Sequence, residues 1–600
     1  MTVTSLGTGR AESGRARSRP KRARWVSVTV GVGAAALGAA VLLPVGFIVL
    51  GVSSGPVDWW LLITESTWSP RHGVFGALSM VWGTAVVGVL ALAVALPVGW
   101  SAAVALHELT PARWRRVLRT GVEVLAAVPS IVYGLLGVTL LRPFIQDLFG
   151  VPGGDSLLAA GILLGVMVIP TVVSVSVDAL ADVPRDVREN AAALGLTRIE
   201  VIRSAVLPLA RGGMLAAGVL GLARALGETI AIFLVIGRAD GQVTGPGSFL
   251  DSLLRPGQTI TTKLGGPEPM LAGTAGPHWA ALCALGALLL CLVAGLTMIA
   301  QSRVLNRPGG TRRRRSSASS FRFLRDRGSV LTLRVLLAVP ILLAVGIGAA
   351  IASRGLHAFD PAFWLTSAVG ASGGGVRNQI IGTLLLVGTA GVIAAFLGLV
   401  LGLLIGEFAT PRADRWLRVT TVTLGGLPTI VLGLAGYWFF SSMLGWAKSW
   451  LAGAVLLAIV AVPVVALVVA TQLAALPVGR RETAQALGLR RNQVVRSVLI
   501  PHARPALITG LLLGLARAAG ETAPLLFTAT VFAGASALPT GVTDSPVASL
   551  PTHVFTLAQD AADPAALEAA WGGATVLIVI VVLLLTAVIP ARRRLERERS

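Results

Sequence analysis

Two charged motifs sit inside apolar runs of this chain: ARALGET at Ala223 to Thr229 and ARAAGET at Ala516 to Thr522. Each holds an arginine with a glutamate four residues on, Arg224 with Glu228 and Arg517 with Glu521. A charge at the centre of a membrane helix costs on the order of 2.5 to 3.5 kcal/mol on insertion scales, so two per run call for a reason. Residues four apart share one helix face, which places each arginine to pair with its glutamate. A guanidinium fork matches the oxygens of a phosphate-like anion, and a carboxylate neutralises that fork when no ion is present. A carboxylate also accepts a proton, so it favours an oxyanion that still carries one over an oxyanion that does not. The chemistry on offer is an oxyanion path lined by two guanidiniums. The alternative is that each pair only fastens helices together where two halves meet.

Both motifs belong to a longer duplication. ENAAALGLTRIEVIRSAVLP at Glu189 to Pro208 matches ETAQALGLRRNQVVRSVLIP at Glu482 to Pro501, and the Gly195/Gly488, Arg224/Arg517 and Glu228/Glu521 pairs are all offset by 293. Upstream, Gly83-Thr84 matches Gly382-Thr383, Glu108 matches Glu407, and Val128-Pro129-Ser130-Ile131 matches Leu427-Pro428-Thr429-Ile430, all offset by 299. Glu189 to Leu194 and Glu482 to Leu487 are rich in helix formers, and Gly195 and Gly488 supply left-handed caps. Thr197 and Glu200 have the spacing of a capping box for a second short helix; the second copy has Arg490 and Gln493 and lacks that cap. Each repeated segment reads as a helix, a bend and a helix.

The elements that must position these residues are membrane helices. Hydrophobic residues make up 54% of 600 and charged residues 13%, about half the usual charged fraction of a soluble domain, and mean hydropathy is +0.79. The apolar runs reach the roughly 20 residues needed to cross hydrocarbon about 30 Å thick. About six spans per half are expected, near 26–51, 75–106, 121–146, 156–181, 213–236 and 278–302, then 330–352, 377–406, 418–446, 450–473, 506–534 and 572–590. An even number per half gives the second copy the orientation of the first. The fold class is therefore an all-α membrane protein of about twelve transmembrane helices in two parallel six-helix repeats. Residues 1–25 form a cytoplasmic basic tail, 26–302 the first repeat, 303–329 a flexible Arg- and Ser-rich linker, 330–591 the second repeat and 592–600 a short tail. The first run, preceded by basic residues, is a retained helix rather than a cleaved leader.

The net charge of +22 raises a nucleic-acid reading, which its placement removes. Basic residues crowd the N-terminal tail, Arg113 to Arg119, Arg312 to Arg327 and Arg592 to Arg594, while the alternate loops carry Asp58, Glu65, Asp147, Asp155, Asp240, Asp251, Asp544, Asp560 and Asp563. That is the positive-inside pattern of a multi-pass membrane protein with both termini on the cytoplasmic side, in contact with lipid and needing no nucleic acid. Cys283 and Cys291, eight apart on one apolar span, behave as small apolar residues. The six His show no ligand spacing, so neither a metal nor a cofactor is expected. There is no catalytic nucleophile beside a base and no GxxxxGK[ST] loop, so ATP hydrolysis by that route is not expected of this chain. The loops Gly237 to His278 and Ser536 to Ala570 read equally as plain surface and as contacts for another protein.

From physics alone the repeated segment between the fourth and fifth spans reads either as an amphipathic linker on the lipid surface or as a docking element. Glu-x-Ala, glycine six after the glutamate and proline thirteen after the glycine resemble the EAA loop of bacterial ABC importer permeases. That resemblance implies a type I importer-like permease fold and ATPase-contact roles for Glu189, Ala191, Gly195, Pro208, Glu482, Ala484, Gly488 and Pro501. Ala205 and Val498 stand where the family often has Ile, and Ile500 replaces the Leu of Leu-Pro, which touches only packing detail. The RAxGET motifs with ETAPL at Glu521 to Leu525 resemble the two permease subunits of the phosphate importer, fused here in one chain. The resemblance implies a separate ABC ATPase in two copies, an extracytoplasmic phosphate-binding protein, and a path lined by Arg224, Glu228, Arg517 and Glu521. Molybdate and sulfate permeases share the EAA loop, so another oxyanion stays open, as does a channel or ion-coupled transporter.

Overall fold

The computed structural model describes residues 24–241, 249–305, 322–369, 373–531 and 538–599. Most of the expected basic tail and linker, 1–23 and 306–321, lie outside these residues. Among the described residues, eleven helices are long and apolar enough to cross a membrane, twelve if the pair Pro411–Gly425 and Thr429–Met443, bent by 87°, is one span. Eight of the twelve expected spans fall where apolar periodicity places them, for example Leu157–Ala181 and Trp450–Ala474; the third and fifth spans of each half do not.

The third span of each half is shorter than expected. Instead of 121–146 and 418–446, it occupies Ser130–Phe149 and Thr429–Met443. Pro129 and Pro428 have no N–H to donate and push the preceding residue out of the helical region, and Val128 is extended at φ −61°, ψ 127°. The residues before them form separate amphipathic helices, Ala112–Ala127 and Pro411–Gly425. The first carries Arg113, Arg115, Arg116 and Arg119, whose charges favour the interface over the hydrocarbon. The second of the open loops is also not plain surface: Leu550–Gln559 is packed into the fold, as is Gln258 to Leu264 in the first.

Each half repeats one packing scheme. Leu78–Val104 lies on Leu157–Ala181, which lies on Leu207–Gly227, which lies on Pro277–Leu305; Arg377–Leu403, Trp450–Ala474, Ile500–Ala519 and Pro564–Arg599 follow in the same order. The first helix of each half crosses over. Arg24–Val52 packs on Arg377–Leu403 and Thr429–Tyr437 of the second half, and Arg322–Arg354 packs on Leu78–Val104 and Ala112–Ala127 of the first. Leu37 is accordingly buried in a core cluster otherwise built from the second half. Without an aqueous driving force, close contact does the work of association, so small residues recur at these seams, as at Gly33 against Val400.

Candidate functional site

The expected pairing of Arg224 with Glu228 along one helix does not form. The fifth span of the first half begins earlier than 213, at Arg198, and ends at Gly227; Glu228 is extended at φ −76°, ψ 134° and the chain restarts as the short helix Ile230–Phe233. The second half repeats this, ending at Ala519 and restarting at Ala523–Thr528. Each break is pressed against the other half: a Cβ on Gly520 would stand 3.1 Å from Pro129 Cβ, and one on Gly227 would stand 3.6 Å from Pro428 Cα. Both glutamates therefore leave the helix at the seam between halves.

Arg224 Nη1 donates to Thr171 Oγ1 at 3.3 Å, and Arg517 Nη2 donates to the Gly425 carbonyl at 2.9 Å. Arg517 Nε stands 3.9 Å from Glu521 Oε1, at the limit of an ion pair. Among the described residues no ion pair joins Arg224 to Glu228. The four charges nevertheless form one cluster, since Arg517 lies within electrostatic reach of Glu521, Arg224 and Glu228, and Glu228 within reach of Glu521. Ser130 lies beside Glu228 and Thr429 beside Glu521, which gives the repeated VPSI and LPTI motifs a structural role. The Arg517 side chain keeps 43% of its accessibility at this seam. Thr229 and Thr522, next to the glutamates and equally related by the repeat, are buried, and their hydroxyls have no hydrogen-bond partner among the described residues. Their only sequence signal was the shared third letter of GET.

The Gly-Thr repeat positions a buried segment in each half. Thr84 Oγ1 accepts from Ile260 N at 3.0 Å and Thr383 Oγ1 from Leu550 N at 2.9 Å. A Cβ on Gly83 would meet the Gln258 carbonyl oxygen at 2.1 Å, and one on Gly382 the Ala548 carbonyl oxygen at 1.9 Å, so only glycine admits this approach. Beside the first segment, buried Lys263 joins Asp240 Oδ2 and Glu268 Oε1, each at 3.0 Å. Glu268 Oε2 also accepts from Trp68 Nε1 at 3.2 Å and contacts His278 Nε2 at 2.6 Å. Burial opposes ionisation of Glu268, but these partners outweigh it and hold its carboxyl below the usual carboxylate range.

The repeated Glu-x-Ala segments form Arg185–Ala193 with Arg198–Val201, and Val478–Ala486 with Arg491–Val494. Gly195 and Gly488 both take φ 75°, the left-handed bend expected of them. Thr197 and Glu200 close the capping box, with Thr197 N to Glu200 Oε2 at 3.0 Å. The second copy keeps half of it, contrary to expectation: arginine offers no acceptor, but Gln493 Oε1 still accepts from Arg490 N at 2.8 Å. Pro208 and Pro501 open the next long helices after a wide turn, Ile202–Val206 or Val495–Leu499, because the missing proline N–H interrupts the regular ladder. Ala191 and Ala484 face inward, while Glu189 and Glu482 are exposed. Leu194 and Leu487 are 81% and 75% exposed, an apolar pair at matched positions that the sequence reading did not single out. Arg188 ties the first segment to the membrane helices, donating from Nη2 to Glu108 Oε1 at 2.9 Å and to the Leu180 carbonyl at 2.7 Å. Among the described residues no group of three His, Cys, Asp or Glu side chains is arranged to hold a metal ion.

A profile of the family described as "Binding-protein-dependent transport system inner membrane component" matches residues 95–304 and again 398–598. The chain belongs to that family. Both matches run through a repeated segment and its charged motif, so this permease chain carries the family unit twice. Among its relatives, "Probable ABC transporter permease protein YqgH" of Bacillus subtilis is 39% identical over 193 residues, 32% of this chain and 61% of that protein. "Phosphate transport system permease protein PstC" of Mesorhizobium japonicum is 33% identical over 258 residues, 40% of this chain and 76% of the relative. "Phosphate transport system permease protein PstA 2" of Mycobacterium bovis is 38% identical over 186 residues, 31% of this chain and 61% of the relative. The match to the first of these thus spans about three fifths of its length, and the permease fold with its many apolar helices makes this chain a multi-pass membrane protein.

Proposed function

We propose that this permease is the membrane component of an ATP-driven ABC importer for inorganic phosphate, with both permease halves in one polypeptide. The observation that carries the reading is the convergence of Arg224, Glu228, Arg517 and Glu521 from both halves on one seam. The names of the PstC and PstA relatives support phosphate as the ion. In the proposed path, Arg224 and Arg517 release Thr171 and the Gly425 carbonyl and present their forks to the anion's oxygens. Glu228 and Glu521 balance the arginines while the site is empty and accept the proton that hydrogen phosphate carries. The buried Thr229 and Thr522 hydroxyls are the further donors for the ion's oxygens, since an unpartnered buried hydroxyl costs about 1–3 kcal/mol unless something uses it.

Coupling is assigned to the two Glu-x-Ala segments. Glu189, Ala191, Gly195, Pro208, Glu482, Ala484, Gly488 and Pro501 build the elements that two separate ATPase subunits grip, and exposed Leu194 and Leu487 supply their apolar contact. Arg188 and Glu108 pass the motion from the first segment to the helix bearing Gly83 and Thr84. Both termini lie on the cytoplasmic side of the bacterial inner membrane, and a phosphate-binding protein docks at the opposite end. The test is uptake of radiolabelled phosphate by proteoliposomes holding the chain, its candidate ATPase and binding protein. ATP-dependent uptake that excess sulfate or molybdate leaves intact is expected. Uptake blocked by molybdate or sulfate would assign another oxyanion, and uptake without an ATPase would remove the importer reading.

A further inference from the structure

A cavity of about 600 Å³ lies at the basic end of the first half, away from the charged seam. Three elements wall it: the end of Leu78–Val104 with Trp100 and Val104, the helix after the first Glu-x-Ala segment with Met214 and Leu215, and the crossed-over first helix of the second half with Leu333. Trp100 Nε1 is already used by the Met214 carbonyl at 3.1 Å, so the indole offers the cavity an apolar face. The cavity's cationic lining is Arg203 and Arg211, both exposed, and neither makes an ion pair or side-chain hydrogen bond among the described residues.

At the related position of the second half the described walls touch. Val400, the counterpart of Ser101 in the cavity wall, is met directly by the crossed-over helix, where a Cβ on Gly33 would stand 2.6 Å from Val400 Cγ1. The duplication thus left one seam closed and one open, and the open one pairs an apolar chamber with two free guanidiniums.

We propose that this cavity binds one anionic glycerophospholipid, an acyl chain against Trp100, Met214 and Leu333 and the headgroup phosphate on Arg203 and Arg211. A basic pocket between membrane helices near the interface is the arrangement that holds anionic headgroups, and the guanidinium forks match phosphate oxygens. A free phosphate ion would use the arginines but not the apolar walls, and the zwitterionic phosphatidylcholine would bring a quaternary ammonium beside its phosphate, against the two guanidiniums. The occupant bridges the two halves beside the Glu-x-Ala segment, so it braces the crossed-over helix against the first half. The inference stands apart from which ion the chain transports.

Native mass spectrometry of the full chain released from bilayers of phosphatidylglycerol and phosphatidylcholine tests it. One phosphatidylglycerol retained per chain is expected, at least tenfold weaker in the Arg203→Gln/Arg211→Gln variant. Leu333→Trp, which fills the chamber and keeps both arginines, is expected to lower retention as well, while Arg496→Gln/Arg504→Gln in the closed half leaves it unchanged. Equal retention of the two lipids, equal retention by wild type and Leu333→Trp, or displacement of the lipid by millimolar inorganic phosphate would each overturn the proposal. Should the double arginine variant fail to fold, the lipid comparison and Leu333→Trp still decide.

Discussion

Replacing both seam carboxylates by amides, Glu228→Gln with Glu521→Gln, tests the role given to them most directly. Arg517 Nε stands 3.9 Å from Glu521 Oε1. At an effective dielectric of about 20, Coulomb's law gives roughly 4 kcal/mol at that distance. Arg517 keeps 43% of its side-chain exposure, and water screening reduces fully exposed pairs to about 1 kcal/mol or less. The pair falls between those limits, and on the order of 1.5 kcal/mol corresponds to about a tenfold effect. The amides leave two guanidiniums uncompensated and remove the proton acceptors. Sulfate, rejected by an unpaired carboxylate, should then compete about tenfold better or more against phosphate. The assay is sulfate inhibition of radiolabelled phosphate uptake in proteoliposomes, with melting temperature as the check on folding. A folded double variant with unchanged phosphate uptake and unchanged sulfate rejection would refute the reasoning.

Gly83→Ala and Gly382→Ala force a Cβ to within 2.1 and 1.9 Å of a carbonyl oxygen and should each destabilise the fold by about 1–3 kcal/mol. Gly388→Ala, with nothing within 4 Å, should leave the melting temperature in detergent unchanged. Leu194→Asp with Leu487→Asp changes only exposed side chains, so melting should hold while co-purification of the ATPase is lost. Glu268 has a depressed carboxyl, so its contribution to stability is full above the usual carboxylate value of about 4.3 and is lost as pH falls through the lowered one. Melting temperature should therefore drop on acidification below about pH 4, and Glu268→Gln should flatten that limb.

Much of the architecture was legible because it rests on local composition. Apolar run length located most spans, and Gly195 and Gly488 announced the bends that both take at φ 75°. The third spans were misplaced at prolines. Pro129 and Pro428 lie inside apolar stretches, and hydrophobicity alone cannot separate a helix continuing through a proline from one that stops there. The fifth spans were misplaced for another reason: Gly227 and Gly520 do stand at the helix ends, but a single glycine among good helix formers such as Ala, Arg and Glu does not by itself show that the helix stops there. The contact with a proline from the other half accompanies the end, and that proline lies about two hundred residues or more away in the first copy.

The amino-acid sequence by itself determined that this chain is a duplicated multi-span membrane protein, since run length, charge placement and repeat offset are properties of composition and order. It also singled out Arg224, Glu228, Arg517 and Glu521, because charges in apolar runs are costly wherever they end up. Only the tertiary structure decided how those four meet. Two helix breaks, two crossed-over first helices and two buried loop segments bring them to one seam and leave an open cavity beside the first Glu-x-Ala segment. Those outcomes depend on which surfaces touch across hundreds of residues, and close packing between distant segments is not encoded in any one of them.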